Sequence, residues 1–552
     1  MRLVTSRLEF YFRTTIFIAV QQQSGYSDMH RCLEIPEIVD MICAELDPSY
    51  SWSFSSHNLA NLARTCTSLF GPALPYLWAS STLSRILISC MPSDLWADDI
   101  TKGSGPLAKK KHQIRQLRPI HESDWGRVKF YGRLVKQLSS GADHWSLSSA
   151  FPALSASSPE GLFPSLQTLH WYHSKDDFRF IDLFLYPTVT KILVRASSDA
   201  NSSFFSTLAT KCPKLIEFSL APTGYANSEP AVSEFVRSLQ CVQKISVLSL
   251  DQRALDHLSG LTTLNELMLS SLPEVLTLRP IHQSPTFSAL RRLALHYPSI
   301  RSTTQFLGWC SRVSLVEFKT WLREAVLGKW TAFLPPFQRL FSIPLSNLSI
   351  DGDYDGLEGS DPNIHVITLQ SMRRIFAFIN LTKLVITSLV GFDLDNDAVA
   401  ELARAWPQIV TLTLAVCFPR HAPRATLSCL QSFAQHCPHL CTLTMVLDAR
   451  VAPGTDVGPR THFVQHTLTT IRVDHSPLTD PVYAARFLSG VFPKLVEVQT
   501  QREYYANDEE QEQEHGDAIR LHRLWKGVER LLPELSAIHG ERRMLIQAPS
   551  TS

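Results

Sequence analysis

Eleven cysteines occur in the 552 residues, yet no Cys-x-x-Cys pair is among them and their spacing follows no pattern. An odd, unpatterned set in a long chain excludes a disulfide-stapled secreted scaffold and points to a reducing compartment, cytosol or nucleus. Long apolar runs are also missing. The most apolar stretch, Ile16–Val20, is five residues long and follows Arg13, whereas a bilayer-spanning helix needs about 20. Arg2 and Arg7 precede that patch, but Gln21-Gln22-Gln23 offers no small-residue cleavage site, so a signal peptide is not expected. Neither sign of charge prevails. Lys and Arg total 52 against 51 Asp and Glu, a net charge of +1. That excludes a global field drawing the chain to nucleic acid or to an anionic membrane, and no basic stripe is interleaved with aromatics for base stacking. Gly-x-Ser-x-Gly, His-Glu-x-x-His and a phosphate loop ending in Lys-Ser or Lys-Thr do not occur. No catalytic, cofactor-binding or metal-binding residue is therefore assigned, and an enzyme is not expected.

What the chain has instead is a repeat. Cys437-Pro438-His439-Leu440-Cys441-Thr442-Leu443-Thr444-Met445 shares its form with Phe163-Pro164-Ser165-Leu166-Gln167-Thr168-Leu169 and with the stretches starting at Cys212, Trp406 and Phe492. The form is a bulky residue, Pro, any residue, then apolar-x-x-apolar-x-apolar. Copies without the Pro start at Leu261 and Phe287, and others near Tyr186, Cys241, Cys310, Leu345, Leu381 and His466. The starts lie roughly 20–36 residues apart, the period of a leucine-rich solenoid. The alternating end of each copy predicts a short strand buried on one face. Helix-period stretches precede several copies: Ala398, Val399, Leu402 and Ala403 before Trp406, and Leu427, Leu430, Phe433 and Ala434 before Cys437. Pro ends the helix and starts the next strand. Such a unit cannot bury its own apolar face, so the units must stack. The expected fold class is α/β: parallel strands with crossover helices over residues 151–500, behind an N-terminal helical module.

That module lies in residues 29–85. Pro36 suits a first helical position and Glu37 the positive end of the helix dipole. Ile38, Met41, Ile42 and Leu46 then fall on one helical face. Leu59, Leu62, Ala63 and Cys66 line a second helix, and Pro72 can start a third carrying Leu74, Leu77 and Trp78. At Ile35-Pro36-Glu37-Ile38, at Leu59 to Cys66 and at Leu77-Trp78 the sequence resembles the F-box motif. The long polar and aromatic loop Asp47–His57 departs from that pattern. The resemblance implies a three-helix unit docking on the Skp-type adaptor of a cullin-RING ubiquitin ligase. It implies adaptor contacts from Leu33, Ile35, Pro36, Ile38, Leu59, Leu62 and Trp78, some shared with the module's own core. The chain would then be a substrate receptor without chemistry of its own, the repeats holding a target protein. The alternative is a repeat scaffold that engages no ligase.

The remaining segments are subordinate. Residues 1–28 read as a disordered extension, with Met29 an alternative start. Residues 86–150 read as a connector with a capping helix, its stripe running Trp125, Val128, Tyr131, Leu134, Val135 and Leu138. Arg118-Pro119-Ile120, Asp124-Trp125 and Tyr131 to Val135 also resemble the segment that follows the F-box in many fungal F-box proteins. Insertions at Lys319–Leu345 and Ser349–Ser371 should emerge as loops, the first with Trp321, Trp330, Phe333, Phe337 and Phe341. Residues 501–552 hold an acidic stretch, Glu503–Glu514, and an amphipathic helix read as the terminal cap. Asp351 to Gly356 looks like half of a calcium loop, but the twelfth position, which should be Glu, is Pro362. His436, Cys437, His439 and Cys441 have no second ligand pair at zinc-finger spacing.

Overall fold

The computed structural model describes residues 33, 35–46, 55–101, 111–143, 145–173, 175–196, 202–222, 229–273, 276, 286–297, 300–310, 314–322, 345–352, 366–388, 391–417, 421–450, 463–500 and 516–547. They form two compact units, Met1–Leu248 and Ser249–Ser552.

The first unit opens with helices α1 (Pro36–Glu45), α2 (Ser55–Thr65) and α3 (Thr67–Ala79) around a core of Val39, Cys43, Leu59, Ala63, Leu69 and Ala73. The buried face of α1 is thus Val39 and Cys43, not the expected stripe of Ile38, Met41, Ile42 and Leu46. Apolar residues surround more than half of that helix, and periodicity cannot choose among them. The third helix starts five residues before Pro72, at Thr67, because the extended Cys66 (φ −158°, ψ 164°) separates it from α2. Pro72 and Pro75 lie inside α3. The carbonyls they leave without helical partners belong to Ser68 and Gly71, both exposed, where water can serve them.

Strand β1 (Ser80–Thr82) follows α3 directly and pairs in parallel with β2 (Gln137–Ser140). The strand stack therefore begins well before residue 151. These two strands escape the motif because Ser81 and Ser140 fill buried positions that later strands give to apolar residues. The connector stripe is also not one helix. A 3-10 turn (Glu122–Trp125) and a helix (Gly126–Gly132) precede β2, which carries Leu138. Gly132 sits so close to the Leu162 carbonyl that any Cβ would collide with it. Arg118 ties this region together, pairing with Asp124 at 2.7 Å and Asp94 at 2.8 Å. Its guanidinium, with the His121 N–H, holds the Asp124 carboxyl down to about 2.

The stack continues with β3 (Thr168–Trp171), β4 (Lys191–Ala196), β5 (Glu217–Pro222) and β6 (Lys244–Val247). The second unit has its own stack of β7 (Glu266–Leu269), β8 (Arg292–His296), β9 (Glu317–Leu322), β10 (Asn347–Gly352), β11 (Lys383–Ser388), β12 (Thr411–Val416), β13 (Thr442–Met445), β14 (Thr470–Arg472) and β15 (Glu497–Gln499). Each motif copy supplies one of β3–β15, and within each unit neighbours pair in parallel and in chain order. This is the expected α/β repeat stack. Its register lines up one apolar column per unit: Leu169, Ile192, Phe218 and Ile245 in the first, and Leu267, Leu293, Phe318, Leu348, Leu384, Leu412, Leu443, Ile471 and Val498 in the second. All are at most 2% exposed.

The proline turn has a physical form. Trp406, Cys437 and Phe492 share one backbone conformation, with φ between −121° and −128° and ψ between 71° and 77°. The following ring keeps these residues out of the helical region. Their side chains are buried, and the carbonyls of Trp406, Cys437 and Phe492 accept the N–H groups of Ile409, Leu440 and Leu495. At the far end, helix Gly516–Gln547 packs on helix Pro481–Val491 and buries Trp525, Val528 and Leu532. Glu529 accepts the Val498 N–H of edge strand β15 at 2.8 Å, and Trp525 donates to the Ser476 carbonyl at 2.9 Å. Residues 323–344, 353–365 and 501–515, with most of both insertions and the acidic stretch, lie outside the described residues, as do residues 1–32 and the loop 47–54. Among the described residues no helix is long and apolar enough to cross a membrane.

Two outcomes follow from this packing. Leu412→Ala should cost about 2–5 kcal/mol, read as a lower urea midpoint, while Thr413→Ala should stay within about 0.5 kcal/mol. Burial pushes His170, His173 and His296 below their ordinary 6.5. The folded chain thus keeps these imidazoles neutral while the unfolded chain takes up protons near 6.5. Their contribution should be constant at higher pH and shrink as pH falls below that value, which thermal melts between neutral and mildly acidic pH would show.

Candidate functional site

The expected adaptor-binding residues separate into two sets. Leu59 is 1% exposed and sits in the core of the helical module, and Leu62 is half-buried against that core. Trp78 is 6% exposed. Its ring stacks on Tyr131 at 4.5 Å, with the Arg85 guanidinium 5.2 Å from the ring centre. The adjacent Ala79 carbonyl accepts the Lys136 N–H at 2.9 Å. Trp78 thus joins the helices to the first strands.

The other set lies outward. Ile35 is 45% exposed and Pro36 is exposed, while Ile38 and Leu33 are half-buried. Pro36 takes the first helical position behind an extended Ile35, whose carbonyl accepts the Ile38 and Val39 N–H groups at 3.1 and 3.2 Å. Ile35, Ile38 and Ile42 follow helical spacing, and Met41 beside them is 68% exposed. Met41 was not among the expected contacts. The sequence assigns it to an apolar stripe, and only the packing of Val39 and Cys43 turns it outward. Behind this face the Tyr76 hydroxyl donates to Asp40 at 2.7 Å, fixing α1 against α3. The result is an exposed apolar strip on a braced helix, a surface suited to a protein partner.

The strand face opposite the core is the second candidate surface. In the first unit it carries Lys191 and Glu217, paired at 2.5 Å. In the second, Glu266 and Arg292 pair at 3.1 Å, Arg292 and Glu317 at 3.8 Å, and Glu317 and Lys319 at 2.7 Å. Paired charges on neighbouring strands cancel at range, so they shape close contacts rather than steer an approach. Trp321 reaches this face from β9, its ring centre 4.0 Å from that of His296 and tilted by 32°. Trp330, Phe333, Phe337 and Phe341 lie outside the described residues.

Several groups that could react are enclosed. Burial pushes the thiols of Cys212, Cys310, Cys429 and Cys437 up to about 12. Cys437 donates to the Ala403 carbonyl at 3.4 Å. Ser140 Oγ lies 2.7 Å from His173 Nε2, but Ser140 is 1% exposed, so no substrate carbonyl can reach it. Asp351 accepts from Ser349 and Thr387 at 2.9 and 2.6 Å. Among the described residues no three His, Cys, Asp or Glu side chains group as metal ligands.

No family model matches the chain, and no curated protein does. Among solved structures, a chain from the crystal structure of the Rad7 and Elc1 complex in yeast is similar over 69% of this chain and 89% of that one, with 14% identity and a TM-score of 0.34. Nothing of function passes across so distant a likeness.

Burial separates the two sets experimentally. Trp78→Ala should lose about 3–5 kcal/mol of stability, whereas Ile35→Ala should leave thermal and urea transitions within about 0.5 kcal/mol.

Proposed function

We propose that the chain is a substrate-recognition subunit of a cullin-RING ubiquitin ligase, with α1–α3 docking on a Skp-type adaptor and the repeats holding a target protein. The observation that carries this reading is the pair of exposed apolar residues, Ile35 and Met41, on a helix opened by Pro36, in a stretch that resembles the F-box motif. Of the other expected contacts, Leu59 and Trp78 are spent on the core and on the joint with the strands, so this strip is the apolar surface an adaptor could read. On this reading the chain has no turnover of its own and works in the cytosol or nucleus. It raises the effective concentration of a target near the partner enzymes, which do the chemistry. The strand face opposite the core is the surface offered to that target.

The test is co-purification of the full chain with the Skp-type adaptor of its own organism, beside Ile35→Asp and Met41→Asp variants. A stoichiometric complex is expected for the parent chain. Each variant should weaken it by about 2 kcal/mol or more, as for a buried interface anchor, with unchanged circular dichroism. A parent chain that does not bind, or a complex indifferent to both substitutions, leaves the repeat scaffold without a ligase as the function.

A further inference from the structure

We infer that the second unit holds a ligand pocket at the C-terminal ends of β12 and β13, shaped for a bulky apolar group whose polar end is neutral or cationic. Within the strand stack the core is closed, with Leu384, Leu412 and Leu443 fully buried. Two residues further along β12 and β13 the packing leaves a space beside buried side chains. Leu414, Val416 and Met445 line a cavity of about 450 Å³ together with Leu394 and Phe392. That volume falls among those of small-molecule sites, roughly 300–1,000 Å³, and exceeds an ordinary packing void. The composition is also that of a binding site, apolar walls with a few polar groups at one end.

The walls are pinned apart. Asn396 donates to Thr426 Oγ1 at 3.0 Å and to Ser428 Oγ at 3.1 Å, and its side-chain oxygen accepts the Thr426 N–H at 2.8 Å. Thr426 bridges to Asp448. On the other side Arg424 donates to Asp393 at 2.9 Å and to Asp395 at 3.3 Å. These bonds hold segment 421–426 to the helix start at Asn396 without collapsing it onto Leu414 and Met445. Collapse would otherwise recover the lost contacts.

Charge at the mouth selects the ligand. Two carboxylates, Asp393 and Asp395, face one guanidinium, Arg424, so acid is in excess there, and His421 is the other ionisable group on the lining. A carboxylate-bearing ligand meets repulsion at this mouth, whereas an amine or hydroxyl can donate to Asp393 Oδ2, since Asp393 Oδ1 and Asp395 Oδ2 accept from Arg424 and Asp395 Oδ1 accepts the Ala398 N–H. The apolar body could belong to a small molecule or to a side chain of a protein partner. The inference stands apart from the adaptor reading, since none of these residues lies in α1–α3.

Titration of the full chain with naphthylmethylamine, naphthalenemethanol and naphthoate, followed by saturation-transfer NMR and calorimetry, tests it. Saturable binding of the amine and the alcohol is expected, with naphthoate roughly tenfold weaker than the amine. Asp393→Asn should erase that preference. Ala422→Trp fills the pocket from its exposed rim and should abolish saturable binding with an unchanged melting curve; Val446→Trp serves if the first variant does not fold. A short amidated peptide with one Trp between Lys residues separates the sources. Tighter binding than the amine assigns the pocket to a protein side chain, and weaker binding to a small molecule. No saturable binding of amine or alcohol, binding that survives both filling variants, or a preference for naphthoate overturns the proposal.

Discussion

Between successive repeats one carbonyl oxygen accepts two consecutive N–H groups from the next repeat, and the rest of the molecule is arranged around that junction. Gln167 and Thr168 donate to Lys136, Ile216 and Glu217 to Thr190, Val410 and Thr411 to Thr382, and Val496 and Glu497 to Thr469. The shared acceptor fixes where each strand begins relative to its neighbour. Strand side chains alternate with period two, so a slip of one residue would turn every buried Leu outward. The junction therefore supports the hydrophobic column, and the column, by excluding water, makes the junction's hydrogen bonds costly to break.

A stack of this kind needs ends. At the N-terminal side the end is made from α3 and β1, where Trp78 and the Ala79 carbonyl attach the helices to the strands. At the C-terminal side helix Gly516–Gln547 covers the last repeat, and Glu529 takes a donor that an open strand edge would offer to any passing chain. The two units use different devices for one constraint, that backbone polar groups at an edge must find a partner.

The stack leaves some surface unconsumed. In the helical module that includes the exposed apolar strip of Ile35 and Met41. In the repeats it includes the outward row of each strand and the cavity beside the buried Leu414 and Met445. The buried thiols, the enclosed Ser140–His173 pair and the pinned carboxylates are spent on structure.

The repeat was legible in the sequence because it is local. A pre-proline residue, a buried Leu and a period-two ending act within about nine residues, and β3–β15 all fall where those patterns stand. Other features were settled only by tertiary packing. Six apolar residues ring α1, and which two are buried depends on α2 and α3, so Met41 became surface. Pro72 and Pro75 stand inside a helix because their orphaned carbonyls face solvent. β1 is a strand by pairing rather than by pattern, with Ser81 where the motif asks for Leu, while β2 keeps Leu138 in that column but puts Ser140 at the next buried position. The pocket depends on hydrogen bonds between residues some thirty positions apart, such as Asn396 with Thr426 and Arg424 with Asp393. Local periodicity determined where the strands lie; long-range contacts decided which apolar residues they bury and which remain for a partner.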